Sequence, residues 1–385
     1  MPAERLYYQD QYIRRFTSRV VSCRRGKDGW IVTLEGTAFY PEGGGQPGDR
    51  GVLGGAAVAD TRELDGEVVH LCTSPLAPGE EVCGEIDWPR RFDFMQQHSG
   101  EHIVSGLIHA RFGCDNTGFH LGAETTAIDF DAPLTWDQLM DIEREANEKI
   151  WACLPVEAGW PDAAELAALD YRSKKELHGP VRIVSVPGTD VCACCGVHVA
   201  HTGEIGLIKI VSAQKLRGGV RAVLLCGRRA YEHMRLIFAQ NRQISAILSA
   251  PPEDTYEAVR RVRAELEGAR YRLYGCEEQL FRQKAKELAG SGDALVFYDG
   301  LDGDGLRRLA AAVSETCSGR VAVFSGSDGD GWRYVLAQRD GDVRDLVKKL
   351  NAALNGRGGG KPSFAQGSVQ APRTEIETFF LSCFS

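Results

Sequence analysis

An α+β protein of several domains is what the sequence predicts, and three features carry that prediction. Residues 1–90 are short β-rich runs separated by turns, as in Arg19-Val-Val-Ser-Cys23 and Trp30-Ile-Val-Thr-Leu34 on either side of Gly26-Lys-Asp-Gly29. Between 91 and 228, apolar residues at helical spacing alternate with strand-like runs. Beyond 293, two apolar runs (294–298 and 320–324) bracket a helical stretch, the pattern of a βαβ unit. At 385 residues the chain also exceeds the roughly 250–300 residues that one hydrophobic core organises.

Taken in order, residues 1–90 read as a small β-barrel. The run Thr37-Ala-Phe-Tyr-Pro-Glu-Gly-Gly-Gly-Gln46 interrupts it with three glycines, where the backbone bends sharply or something approaches it closely. Val52, Val58 and Val68-Val-His-Leu71 continue the strands. Residues 95–112 are helical by period, with Ile103, Leu107 and Ile108 on the apolar side. A short strand over 125–130 follows, then a helix over 136–153 with Thr135 as N-cap. Strands over 181–186 and 205–210 flank a Cys/His-rich turn, completing an α+β domain at 91–228.

Residues 229–292 predict a helical hairpin linker. Its first helix, 229–249, stops at Pro251-Pro252, and Asp254 and Thr255 offer caps for the second. There Val262, Leu266, Ala269, Leu273, Cys276 and Leu280 recur in the alternating spacing of a coiled-coil seam, which permits a homodimer or a fold-back onto the partner helix. Residues 293–385 predict an α/β domain with a helix over 304–317. Near its end a glycine-rich turn, 356–367, leads to a return strand or helix.

Hydrophobic content of 43% and charged content of 25% are those of a globular protein. No apolar run approaches the roughly 18 residues of a membrane span, and the opening MPAERLYYQDQYIRR lacks a signal core, so a cytoplasmic location and no membrane partner are expected. The 12 cysteines are scattered, except for Cys192, Cys194 and Cys195; such a cluster points to metal or redox chemistry. A net charge of −8 does not advertise nucleic-acid binding, so any such site must be a local basic patch.

Two pairs of side chains carry metal-ligand chemistry: His98-Ser-Gly-Glu-His102 and Cys194-Cys-Gly-Val-His198. Each places donors at i and i+4, one face of a helix. Nitrogen and sulfur donors together suit zinc, which takes four in a tetrahedron. Cys192 and Cys195 compete with Cys194 for the sulfur position, since Cys195 to His198 is also a workable i,i+3 spacing. Glu101 sits beside the second histidine rather than the first, unlike the H-E-x-x-H of zinc proteases, and its different helix face argues against a general base. Four protein ligands describe a closed structural site and three an open catalytic one, and both remain open here. His120 in Gly118-Phe-His-Leu-Gly122 is a further histidine with surface, core or site readings.

These motifs, in order, resemble a known family. Thr37-x-Phe-Tyr-Pro-x-Gly-Gly-Gly-Gln46, His98-x-x-x-His102, Cys194-x-x-x-His198-Val-x-x-Thr202-Gly-Glu-Ile-Gly206 and Arg217-Gly-Gly-Val-Arg221 are similar to the editing domain of alanyl-tRNA synthetases. Gly358-Gly-Gly-Lys-Pro-Ser-Phe-Ala-Gln-Gly367 resembles the C-terminal globular domain of the same synthetases, also found attached to DHH phosphoesterases. The motifs begin near the start of the chain, with no aminoacylation domain expected ahead of them. The resemblance is therefore to the free-standing, long-form AlaX editing proteins. It implies a zinc-containing editing (deacylase) domain at 91–228 and a DHH-associated domain at 293–385. It also implies one Zn2+ ion on His98, His102, Cys194 and His198, with the sulfur ligand at Cys194.

The implied activity is trans-editing: hydrolysis of the ester in tRNA(Ala) mischarged with serine, and with glycine. A pocket made for alanine cannot strongly reject one extra hydroxyl, so a second site must read that hydroxyl. By the resemblance Thr37 is its partner; alanine would leave Thr37 unpaired at about 1–3 kcal/mol, an account that does not extend to glycine. Gln46 and the backbone N–H groups of Gly43 to Gly45, Gly44 and Gly45 foremost, are candidates to steady the developing oxyanion, the alternative being a plain tight turn. Zinc either activates the attacking water or orients the aminoacyl group. Lys215, Arg217 and Arg221 offer a tRNA contact beside the ligand strand, extended by Arg228 and Arg229, the alternative being a solvated hairpin. Gly359, Gly360 and Lys361 offer a second contact, the alternatives being a helix cap or dimer contact. Val197 stands where the family often has threonine, which removes a hydroxyl near the metal and bears on substrate preference. Competing readings are a non-catalytic tRNA-binding protein with a structural zinc, and a redox or metal sensor built on Cys192, Cys194 and Cys195.

Overall fold

Six N-terminal strands hydrogen-bond side to side until the last meets the first. They run in the order Arg15–Arg25, Trp30–Leu34, Glu67–Cys72, Ala56–Leu64, Gly51–Leu53 and Glu81–Ile86, antiparallel throughout. Strict alternation makes this possible: in Glu81–Ile86 every second residue is buried. Val20, Val32, Leu34, Leu53, Val58, Val82 and Ile86 fill the interior together with Phe39. The computed structural model describes residues 3–173 and 179–384. They fall into two compact units, Met1–Arg242 and Gln243–Ser385.

The helix after these strands, Trp88–Phe112, starts earlier than its apolar period suggests. Asp87 accepts a hydrogen bond from the Arg90 N–H and Pro89 occupies the first turn, a start signal written in polar residues. The helix stops at Gly113, whose φ of 66° is left-handed. Its first turn is clamped to the strands by Arg91. That fully buried guanidinium binds both oxygens of Asp49, with Nε at 2.9 and 2.8 Å, and donates to the carbonyls of Ala38 (2.6 Å) and Gln11 (3.1 Å).

A four-stranded antiparallel sheet covers the helix, in the order Ile208–Leu216, Gly219–Cys226, Thr126–Phe130, Asn116–Leu121. Ile103, Val104, Leu107 and Ile108 of the helix form one core with Ile128, Phe130, Ile210 and Leu224 of the sheet. Leu139 and Ile142 of the helix Trp136–Trp151 complete it. Thr135 caps that helix as expected, in a reciprocal capping box with Gln138. A separate three-stranded sheet, Glu157–Gly159, Ile183–Val186 and Asp190–Ala193, delivers the cysteine-rich turn. The strand expected at 205–210 begins at Ile208, because Thr202–Ile205 forms one 3-10 turn.

In the second unit the helix Thr255–Glu287 starts at Asp254, which makes no side-chain cap bond. Its seam residues Val262, Leu266, Leu273 and Leu280 are exposed. The expected βαβ unit is present: Ala294–Phe297 and Val321–Ser327 pair in parallel around the helix Gly303–Thr316. The sheet continues through Gly331–Ala337, Phe364–Val369 and Arg357–Lys361. The segment 356–367 is thus a strand hairpin rather than a turn. Gly358 and Gly360 serve close approach: a Cβ on Gly358 would lie 2.4 Å from the Gln366 carbonyl oxygen, and one on Gly360 2.3 Å from that of Phe364. No helix among the described residues is long and apolar enough to cross a membrane.

Arg91→Ala leaves a buried carboxylate unpaired and is expected to lower stability by about 3–5 kcal/mol in urea unfolding. Thr135→Ala is expected to cost about 1 kcal/mol by the same measurement.

Candidate metal centre

His98 and His102 stand one turn apart on the buried face of the helix Trp88–Phe112, and Cys194 and His198 lie on the turn after Asp190–Ala193. The packing brings them together: one donor atom from each lies within 4.8 Å of the other three. Cys194 Sγ is 3.4 Å from His98 Nε2 and 3.5 Å from His198 Nε2. Zinc bonds of about 2.0–2.3 Å in a tetrahedron put nitrogen and sulfur ligands about 3.5 Å apart, which matches these separations.

The outward ring nitrogens are each held. His98 Nδ1 donates to Gln46 Oε1 at 3.0 Å, His102 Nδ1 donates to Asp190 Oδ2 at 2.7 Å, and His198 Nδ1 meets the Ser99 hydroxyl at 3.4 Å. The Nε2 edges are thereby left to face inward, and buried His102 Nε2 has no hydrogen-bond partner. This is the arrangement by which metal-binding histidines are oriented. Gly106 permits the Asp190 contact: a Cβ there would sit 2.3 Å from the Thr189 carbonyl and 2.7 Å from Asp190 Cβ.

Burial and the donors' mutual charges set their protonation. Burial pushes the Cys194 thiol up, but the imidazoles around it, His98 foremost, outweigh this and hold it well below its usual range. Burial likewise opposes charge on His102, yet Asp190 and then Cys194 raise its affinity for a proton. His198, buried and beside His98, is driven down to about 3, a neutral ring with a lone pair to offer. The turn itself is braced. Arg182 donates to the carbonyls of Cys194 (3.0 Å) and Gly196 (2.8 Å), and the Tyr8 hydroxyl donates to that of Cys195 (2.8 Å).

His98, His102 and Cys194 line a cleft of about 440 Å³, with Gly44, Gly45, Thr117, Phe119 and Ser173 on its other walls. Gly44 has φ +58°, and a Cβ there would lie 3.5 Å from the Gly196 nitrogen. Gly43 and Gln46 bond to each other's backbone across the turn, at 3.0 and 2.9 Å, so Gly44 and Gly45 supply the N–H groups it does not use. Phe119 stacks on His98 with centroids 5.0 Å apart.

Some of the other expected residues lie at the cleft and others away from it. Thr37 is not on the cleft wall: it is fully buried, its hydroxyl 2.8 Å from His70 Nε2 and accepting from the Phe39 N–H. The Gln46 side chain holds His98, and its buried Nε2 has no partner. Among the cysteines, Cys192 groups with His102 and Asp190, and Cys195 is exposed. Glu101 is turned toward Ser105 and Asn116. Val197 is fully buried in the apolar core. Lys215 and Arg217 are exposed at a hairpin tip, whereas Arg221 is bound by both oxygens of Asp129, at 2.6 and 2.7 Å. Arg229 is held by Asp93. His120 is mostly exposed, 3.8 Å from Asp129. Gly359, Gly360 and Lys361 are exposed on the strand Arg357–Lys361, which ends the sheet of the second unit. Asp190, Arg172, Arg182 and Tyr8 lie in no motif, only the proximity of Asp190 to the cysteine cluster hinting at any of them, while Ser99 sits inside the His98–His102 pair without a role of its own in the spacing.

Three family models match: class II (A) tRNA synthetases over 4–90, the threonyl and alanyl tRNA synthetase second additional domain over 181–221, and the DHHA1 domain over 291–380. The alanyl-tRNA editing protein Aarsd1 of Mus musculus is 31% identical, over 94% of this chain and 93% of its own. The alanyl-tRNA editing protein AlaX-L of Pyrococcus horikoshii is 30% identical, over 97% and 96%. The alanine–tRNA ligase of Halobacterium salinarum is 36% identical over 94% of this chain but 42% of its own. With a four-donor centre on a cleft wall and near-full-length likeness to both editing proteins, the chain belongs to the alanyl-tRNA editing protein family.

Proposed function

We propose that the chain is a zinc-dependent aminoacyl-tRNA deacylase that hydrolyses tRNA(Ala) mischarged with serine, and with glycine, releasing amino acid and tRNA. The observation that carries this is the convergence of His98, His102, Cys194 and His198 on one point, three of them lining an open cleft. One zinc ion bound there would act as a Lewis acid toward the ester or its attacking water. The protein's own groups do the rest. Gly44 and Gly45 offer unused N–H groups to the developing oxyanion. Gln46 keeps His98 turned inward instead of touching substrate. Phe119 backs the cleft and limits its width.

Reading the serine hydroxyl falls to the cleft wall. Thr37 is committed to His70, whereas Thr117 lines the cleft and donates to the Asp129 carbonyl, which leaves its lone pairs open. At the hairpin tip Lys215 and Arg217 meet tRNA phosphate, with Arg221 serving mainly to brace Asp129. Gly359, Gly360 and Lys361 give the second unit an exposed strand for RNA backbone, and the exposed seam of Thr255–Glu287 fits a homodimer.

A second reading, a tRNA-binding protein whose zinc is only structural, draws on the four donors, enough to close a tetrahedron. Deacylation assays separate the two. Purified protein is expected to release serine and glycine from tRNA(Ala) and to spare alanyl-tRNA. It should carry one zinc per chain, and both zinc and activity should be lost with the His98→Ala/His102→Ala pair; unchanged turnover in that variant would refute the site. Thr117→Val is expected to lower kcat/KM for seryl-tRNA about tenfold, with glycyl-tRNA little changed. Thr37→Val should leave the serine-to-glycine ratio as it is.

A further inference from the structure

We infer that Arg172 is a positioning residue that fixes the Asp190 carboxylate, which orients His102, and steadies the strand leading to Cys194, an inference that rests on the metal-centre reading above. Its guanidinium forks onto Asp190, with Nε donating to Oδ1 at 2.8 Å and a terminal nitrogen donating to Oδ2 at 2.9 Å. The same Oδ2 accepts from His102 Nδ1 at 2.7 Å. A bidentate fork fixes the carboxylate plane as a single hydrogen bond cannot. The Asp190 lone pair is therefore aimed at His102, and His102 Nε2 at the other donors. Ser99 and Gln46, which hold the other two rings, are neutral. Asp190 is buried, and Arg172 balances its charge.

The backbone of Arg172 does a second job. Its N–H donates to the Val191 carbonyl at 2.9 Å, and its carbonyl accepts from the Ala193 N–H at 2.9 Å, one residue before Cys194. The side chain thus fixes the carboxylate that holds the helix ligand, while the main chain fixes the strand that ends in the turn ligands. The next residue, Ser173, lines the cleft, so the segment also sets part of the substrate wall.

The test uses the full chain, stripped with a chelator and titrated with Zn2+ against a chromophoric competitor. Stoichiometric binding by the unaltered protein checks the metal-centre reading on its own; failure there overturns that reading and this inference with it. Given such binding, Arg172→Gln is expected to weaken Zn2+ affinity about 10–100-fold, as loss of a metal ligand's orienting partner does. Arg172→Lys keeps the charge without the fork and should fall between; it carries the same readout if Arg172→Gln folds poorly. Combining Arg172→Gln with Asp190→Asn should weaken binding no further than Asp190→Asn alone, because both act through one carboxylate. Unchanged zinc affinity in both Arg172 variants, or losses that multiply in the double variant, would overturn the role.

Discussion

Inward-facing lone pairs are the constraint on which this protein is built. Four donor atoms crowd within 4.8 Å, almost out of water, and would repel or collapse unless each ring were held from behind. A buried polar atom without a partner costs free energy, so the outer nitrogens must be satisfied by the scaffold while the inner ones stay available to an ion. Gln46, Asp190 and Ser99 meet that demand from three parts of the chain: the glycine turn, the cysteine-bearing strand and the helix itself.

Such contacts hold only if large elements stay in register. Arg91 locks the helix to the N-terminal strands near one end of the ligand face, and Gly106 lets the Asp190 strand press against the other. A glycine inside a helix sacrifices roughly 1 kcal/mol relative to alanine, and here it lets a carboxylate reach a histidine. The apolar core of Ile103, Val104, Leu107 and Ile108 runs along the same helix, so stability and ligand geometry are set by one rigid body.

Much of this was legible in the residues. Short β-rich runs between turns marked the N-terminal strands, Thr135 marked a helix start, and two i,i+4 pairs marked the donors, because those signals are local. What the sequence concealed is tertiary. Nothing near Thr37 says that its hydroxyl turns to His70, and nothing in Gly358–Lys361 distinguishes a tight turn from a strand whose neighbour leaves no room for side chains. Asp190 looks like an ordinary charge until folding sets it between Arg172 and His102. The start at Trp88 was missed because a polar cap, not an apolar stripe, writes it. Spacing left three cysteines in contention; the packing gathers Cys194 with the three histidines and leaves Cys195 exposed.

Chain order has one more consequence. The helix histidines are synthesised with all of 103–193 still to come before the thiolate appears. During translation the ribosome therefore exposes a two-nitrogen half-site long before the remaining donors exist. An ion captured there early would be weakly held and readily exchanged. A metal ion held by all four donors would be gripped firmly only once the turn bearing Cys194 and His198 had packed against the helix, so its tight binding would follow folding of the intervening segment rather than seed it.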